Sequence, residues 1–105
     1  MKIKFEKKFR DNPKTLLRRC GYKPWYDPKH GREGFIRRLT LAYYPRFHIF
    51  YEFDKNQRLI LDLHLDARRP MHKKGIRTYE DKESEIVREE AERIQALLTK
   101  MPTFE

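Results

Sequence analysis

Two histidines accompanied by carboxylates are the side chains of this sequence best suited to acid–base chemistry. His64 stands between Asp62 and Asp66, and Glu52 follows His48 by four residues. An imidazole titrates near neutral pH, and a neighbouring carboxylate fixes its tautomer. Such a group can move a proton to or from a phosphate ester, or it can bind a divalent metal ion.

Whether the two histidines meet depends on the strands that carry them. Alternating apolar residues predict strands over 47–53 and 59–66, because side chains of a strand alternate between its two faces. A three-residue loop over 55–57 would set the aromatic side chains of the first strand against the leucines of the second. A loop of two or four residues would set them against polar side chains, which disfavours those registers.

The favoured register brings the histidines together. Pairing of Phe47 with Leu65 places His48 directly across from His64, with Asp66 on the same face. We therefore predict His48, His64 and Asp66 as a catalytic group in which Asp66 orients the histidine. The alternative is a pair of cross-strand neighbours on a solvated face. Metal binding is the weaker functional interpretation, because no His-x-x-x-His or paired-cysteine motif fixes the geometry of the ligands.

Basic residues interleaved with aromatic rings form a second candidate site. Rings stack on nucleobases while Arg and Lys hold phosphates. Trp25 and Tyr26 lie between Pro24 and Pro28 in a predicted loop and are the best stacking candidates, although either ring could instead fill the core of so small a domain. The predicted phosphate contacts are Arg37, Arg38, Arg46, Arg68, Arg69, Lys73, Lys74 and Arg77.

The charge of the chain favours a polyanionic partner. Lys and Arg number 25 against 16 Asp and Glu, which gives a formal charge of +9. Residues 1–58 hold 16 bases against 6 acids, residues 67–78 hold five bases and no acid, and residues 79–105 hold four bases against eight acids. We expect the cations to gather on one side, where they would concentrate phosphates, with the acidic segment turned elsewhere. The alternative is that this charge only keeps a thin-cored domain soluble.

Several classes of protein are not expected from this sequence. It has no apolar run long enough to span a membrane, and its single cysteine, Cys20, cannot form an internal disulfide. The charged N-terminal segment lacks the apolar centre of a secretory signal, so we expect a cytoplasmic protein. Glycine-rich nucleotide-binding motifs are also missing, and we therefore predict no cofactor.

The elements predict one domain over residues 1–105. Asn12 and Pro13 can begin a helix that Gly21 ends, and apolar residues recurring every three and four positions give a later helix one face for packing. The predicted order is strand 2–9, helix 13–20, strands 22–26, 35–43, 47–53 and 59–66, basic loop 67–79, and helix 82–101. This order predicts an α+β fold, with an antiparallel sheet of three to five strands and two helices packed on one face.

Three short strings carry a resemblance. Tyr44-Pro45-Arg46-Phe47-His48, Leu63-His64-Leu65-Asp66 and the Glu-Ala-Glu-Arg-Ile segment at 90–94 resemble segments of small uncharacterised proteins of candidate-phylum bacteria. The resemblance spans roughly residues 15–95 and implies no activity. Those proteins carry a His-x-His segment after the last strand, where this chain has only His72, a difference that argues against metal binding. The predicted architecture is also similar to small RNA-binding and RNA-cleaving toxin domains, a likeness of fold alone.

These observations leave three hypotheses for function. The first is a small non-enzymatic nucleic-acid-binding domain, with RNA favoured over DNA. The second is a phosphodiesterase or ribonuclease that uses His48 and His64. The third is a protein-interaction module that docks a partner through the acidic C-terminal helix. The same amphipathic helix could close a homodimer, whereas no membrane partner is expected.

Overall fold

The computed structural model describes the backbone of residues 1–66 and 78–104 and the side chains of residues 1–66 and 84–104. Its elements are β1 (Lys2–Lys4), α1 (Pro13–Arg19), β2 (Lys23–Asp27), β3 (Arg32–Arg38), β4 (Arg46–Phe53), β5 (Leu59–Asp66) and α2 (Thr78–Thr99). The strands form one antiparallel sheet in the order β1-β5-β4-β3-β2. The predicted α+β fold is therefore confirmed.

The core lies between the two helices and one face of this sheet. Leu61 and Leu63 of β5 are fully buried there, together with Leu17 of α1 and Ile94 and Leu98 of α2. Because successive side chains of a strand point to opposite faces, the other residues of each strand face away from the helices. Within the described residues, neither helix covers this second face of the sheet.

The first helix begins and ends where its capping residues predict. The Asn12 side chain accepts a hydrogen bond from the amide of Thr15 at 2.9 Å, and Pro13 occupies the first turn, where its missing N–H costs nothing. Cys20 caps the C-terminus and Gly21 follows with a φ of 92°, the left-handed conformation that glycine adopts most readily. The helix thus ends at Arg19, one residue before the predicted limit.

Two predicted strands differ from the structure at their ends. Strand 2–9 is reduced to Lys2–Lys4, and Phe9 makes only an isolated bridge with Thr103. Strand 35–43 is displaced to Arg32–Arg38, after which the chain leaves the sheet and Leu41 is 99% exposed. Alternation of apolar and polar residues continues past Arg38, but it cannot distinguish a strand from a loop that carries the same pattern.

The remaining limits move by a few residues. Strand 22–26 lies at Lys23–Asp27, because the Tyr22 amide still donates to the Leu17 carbonyl at the end of α1, at 3.0 Å. Helix 82–101 extends from Thr78 to Thr99, so the end of the predicted loop 67–79 belongs to α2. Residues 67–77 lie outside the described part of the chain. Neither helix, as far as the described residues go, has the length and apolar character needed to cross a lipid bilayer.

The hairpin between β4 and β5 has the predicted three-residue loop. Phe53 pairs with Leu59, and the Asp54 amide donates to the Arg58 carbonyl at 2.9 Å. Gln57 closes the loop with a φ of 66°, the left-handed position typical of this loop class. The apolar faces of the two strands therefore coincide, which confirms the register.

Replacing Gln57 with Gly is expected to stabilise the protein by up to about 1.5 kcal/mol. A side chain in the left-handed region costs about 1–2 kcal/mol, and the greater freedom of glycine in the unfolded chain offsets about 0.5–1 kcal/mol of that gain. Urea denaturation measures the change, with Gln95→Gly inside α2 as a control expected to destabilise by about 1 kcal/mol. A loss of stability in Gln57→Gly would contradict the prediction.

Candidate functional site

The sheet face that the helices leave uncovered carries a cavity of about 630 Å³. Alternate residues of β2, β4 and β5 form its floor, and the β2–β3 turn and the chain between β3 and β4 form its rim. Its lining combines three histidines (His30, His48, His64), three carboxylates (Asp27, Asp62, Asp66), three cations (Lys29, Arg32, Arg46) and four aromatic rings (Trp25, Tyr43, Tyr44, Phe50).

The two strand histidines meet in the floor of the cavity. His48 pairs with His64 across β4 and β5, and their ring centroids lie 5.2 Å apart. Nε2 of His64 lies 3.2 Å from Oδ1 of Asp62. Asp66 stands opposite Arg46 and forms an ion pair with it at 3.3 Å, because this cation is its direct cross-strand partner. The carboxylate that orients His64 is therefore Asp62, and Asp66 does not have the predicted role.

His48 is half-buried among rings. The rings of Phe50 and Trp25 lie 5.1 Å and 6.0 Å from it, and its buried Nδ1 has no hydrogen-bond partner among the residues described. Burial lowers the pKa of His48, and the positive charge of His64 lowers it further, against the opposing carboxylate of Asp66. His48 is thus favoured in its neutral form, which can accept a proton.

Arg46 lies at the centre of an aromatic cage, with a side chain that is only 3% exposed. Its guanidinium carbon lies 4.4 Å from the Trp25 ring centroid, 4.5 Å from Tyr43 and 4.7 Å from Tyr44. Cation–π attraction on several rings and the ion pair with Asp66 compensate its desolvation. Nη1 of Arg46 has no hydrogen-bond partner within the described chain. Hydrogen bonding from Arg46 lowers the pKa of Tyr43.

The β2–β3 turn builds the rim of the cavity. Asp27 accepts a hydrogen bond from the Lys29 amide at 2.9 Å and contacts Nδ1 of His30. Desolvation raises the pKa of Asp27, but the hydrogen bonds from the His30 side chain and the Lys29 amide outweigh this effect, so the pKa is lowered. The guanidinium carbon of Arg32 lies 3.8 Å from the Phe50 ring centroid, so a second cation lies on a ring here.

Gly34 lies against the floor of the cavity. It pairs with Trp25 across β2 and β3. A Cβ at this position would lie 2.9 Å from Cε1 of Phe50 and 3.1 Å from the Ile49 carbonyl oxygen. The Phe50 ring therefore packs directly on the backbone of Gly34, and this contact sets how far the ring projects from the sheet.

The predicted nucleic-acid contacts do not all lie on this face. Trp25 and Arg46 line the cavity, and Arg38 is exposed with its guanidinium carbon 5.2 Å from the Tyr43 ring centroid.

Tyr26 is 61% exposed but faces the opposite side of β2 from Trp25. Arg37 points to the helices, where Nη1 lies 3.3 Å from Oε1 of Glu90, so it is a structural residue. Arg68, Arg69, Lys73, Lys74 and Arg77 lie outside the described residues.

Sequence reasoning missed part of the cavity. Lys29 and Arg32 are not among the predicted phosphate contacts, and Tyr43 falls at the end of the predicted strand 35–43 rather than at a cavity rim. The Asp-x-x-His spacing of Asp27 and His30 was an available signal, because an Asp side chain readily accepts hydrogen bonds from the next few residues in a turn.

Positive and negative groups are mixed in the cavity. The carboxylates of Asp27, Asp62 and Asp66 lie among the cations, which corrects the expectation of one broad cationic side for the part of the chain that is described. Glu85, Glu89 and Glu92 are exposed on α2, which packs on the other face, as expected. The formal charges of the three cations and three carboxylates in the cavity therefore balance, and its cations act as individual groups rather than as one broad positive surface.

The side chains that line the cavity limit which classes of ligand it could bind. Over residues 1–66 and 84–104, no group of three or more His, Cys, Asp and Glu side chains is arranged to hold a metal ion. Planar rings, guanidinium groups and imidazoles instead suit a ligand that has a flat base and a phosphate. Comparison of the chain with family models, curated proteins and solved structures finds no match.

Proposed function

We propose that the protein binds single-stranded nucleic acid, with RNA preferred to DNA, in the cavity on the open face of the sheet. The observation that carries this proposal is the caged Arg46, which brings three aromatic rings and a positive charge together beside two histidines. Unpaired bases stack on such rings, whereas bases inside a duplex present no free face.

Bases would stack on Trp25 and Tyr43. Tyr43 is 47% exposed and Trp25 is half-buried, so each ring can present surface to a ligand. Stacking on an aromatic side chain contributes about 1–3 kcal/mol per base. Because Arg46 is buried, it acts by positioning these rings and by its field rather than as an exposed phosphate contact.

Phosphate would bind at the rim. Lys29 and Arg32 lie there, and the exposed His64 adds a third donor. A ribose whose phosphate contacts His64 would lie near the imidazole of His48, which can accept a hydrogen bond from the 2′-hydroxyl. This acceptor supports the preference for RNA, because DNA has no such donor.

The mixed charges predict a moderate dependence of affinity on salt. Two or three phosphate contacts give a slope of log K against log salt between about −1.4 and −2.1. Quenching of Trp25, the single tryptophan, by a short RNA oligonucleotide measures the affinity over about 50–200 mM salt. An affinity indifferent to salt contradicts phosphate binding.

The same salt series tests the basic segment. A slope steeper than about −3.5 would mean that cations outside the cavity contact phosphate as well. A variant with Arg68, Arg69, Lys73, Lys74 and Arg77 changed to Gln would then lose the additional slope, which would identify those five bases as the source.

A further inference from the structure

We propose that the cavity cleaves RNA by transesterification, with His48 as the general base and His64 as the general acid. This inference rests on the proposed function, because the reaction requires an RNA phosphate in the cavity. It names the 2′-hydroxyl of ribose as the nucleophile and single-stranded RNA as the substrate class.

The geometry that supports this reaction is the meeting of two imidazoles in an open cavity. Their centroids lie 5.2 Å apart with an interplanar angle of 45°, so ring nitrogens of both could reach oxygens of one phosphate group. Asp62 holds His64 from one side at 3.2 Å, which leaves Nδ1 of that ring for the substrate. Transfer of a proton by each of two positioned groups is the requirement of this chemistry.

The two rings differ in surroundings, and this difference assigns their roles. His48 is half-buried, and burial together with the charges of His64 and Arg46 lowers its pKa, while Asp66 and Asp27 oppose the shift. The neutral ring has one nitrogen free to accept a proton. Because Nδ1 of His48 is buried, the substrate would meet Nε2, and the reactive tautomer carries its proton on Nδ1.

The proposed step balances without a co-reactant. Nε2 of His48 takes the proton of the 2′-hydroxyl, and the 2′-oxygen forms a bond to phosphorus. The bond from phosphorus to the 5′-oxygen breaks with its electron pair, and that oxygen takes a proton from protonated His64. The products are a 2′,3′-cyclic phosphate and a free 5′-hydroxyl.

Two cations lie where negative charge would develop. Arg32 lies over Phe50 at the rim, and Arg46 lies in the floor beside His48. Charge on the phosphate oxygens increases as the new bond forms, and fixed positive groups stabilise that charge without reorganisation. Arg32 would make direct contact, whereas Arg46 would act through its field.

The test compares cleavage with binding on matched oligonucleotides. A labelled RNA of about 12 nucleotides, its DNA equivalent and its 2′-O-methyl equivalent are incubated with the wild type, His48→Asn and His64→Asn. We expect cleavage of RNA alone, with cyclic phosphate ends identified by mass. Each His variant should lose about 10²–10⁴-fold in rate while its affinity for the 2′-O-methyl RNA changes by less than about tenfold. Glu89→Gln, on the exposed surface of α2, should cleave like the wild type.

The outcomes separate this inference from the proposed function. A protein that binds the 2′-O-methyl RNA but releases no product from RNA overturns the cleavage inference and leaves binding intact. Equal cleavage by wild type and both His variants also overturns it. A protein that binds none of the three oligonucleotides overturns both proposals.

The pH dependence of cleavage distinguishes a catalytic His48 from a merely structural one, because only a catalytic group imposes its pKa on the rate. Cleavage needs neutral His48, so kcat/KM rises with pH through the pKa of this residue in the free protein. Because that pKa is lowered, the rising limb should have its midpoint below the ordinary histidine value of 6.5. A midpoint at or above 6.5 would remove His48 from the role of base.

Discussion

Replacing Glu90 with Ala is expected to lower the free energy of unfolding by about 3–5 kcal/mol. The Glu90 side chain is 4% exposed and accepts hydrogen bonds from the Tyr22 hydroxyl at 2.7 Å and from Nε and Nη2 of Arg93 at 2.8 Å. Nη1 of Arg37 adds a fourth donor at 3.3 Å. Without the carboxylate, two arginines lose their anion and a buried hydroxyl loses its acceptor.

Urea denaturation measures this loss, with two variants as references. Glu89→Ala changes the exposed neighbour and should cost less than about 0.5 kcal/mol. Tyr22→Phe removes one donor and should cost about 1–2 kcal/mol, which keeps the prediction measurable if Glu90→Ala does not fold. Equal midpoints for Glu89→Ala and Glu90→Ala would show that the network contributes nothing.

Replacing Arg46 with Met is expected to reduce affinity for single-stranded RNA by at least about tenfold. A desolvated cation–π contact is worth about 2 kcal/mol, and Arg46 holds Trp25, Tyr43 and Tyr44 in one arrangement. Methionine fills part of the volume, but it leaves Asp66 without its cation. The rings should therefore lose their fixed positions.

Fluorescence of the single tryptophan shows whether Arg46 acts by positioning. The emission of Trp25 should change in Arg46→Met even without RNA, because the cation 4.4 Å from its ring is gone. Arg46→Lys keeps the charge but not the planar group, so it should recover only part of the affinity. Arg88→Met removes the same charge from an exposed residue of α2, on the other face of the sheet, as a control. If Arg88→Met and Arg46→Met weaken binding equally, net charge explains the loss and the cage does not.

The sequence was sufficient to predict the register that brings the histidines together. Leu59, Leu61, Leu63 and Leu65 must face the core, and only an odd loop places the apolar side of β4 opposite them. The position of His48 across from His64 then follows from the pairing of Phe47 with Leu65. Capping residues likewise predicted the first helix to within one residue at its C-terminal end.

The partners of the polar groups could not be predicted in the same way. Asp62 and Asp66 both lie two residues from His64 on one face, so the strand period does not decide which carboxylate orients this histidine. The predicted register also sets Arg46 directly opposite Asp66, but the burial of this cation depends on the ring cage built by β2 and the chain before β4, which the register does not predict. The buried role of Glu90 is not predicted either, because two of its donors, Tyr22 and Arg37, come from distant parts of the chain.

The glycine under Phe50 determines how much room remains above the sheet. With no side chain at Gly34, the benzyl group of Phe50 lies low against the backbone, and Arg32 lies over it. A single methyl group there would press the benzyl group outward, toward Arg32, and would crowd the Ile49 carbonyl oxygen. The depth of the cavity above this part of the sheet is thus set by a residue outside its lining.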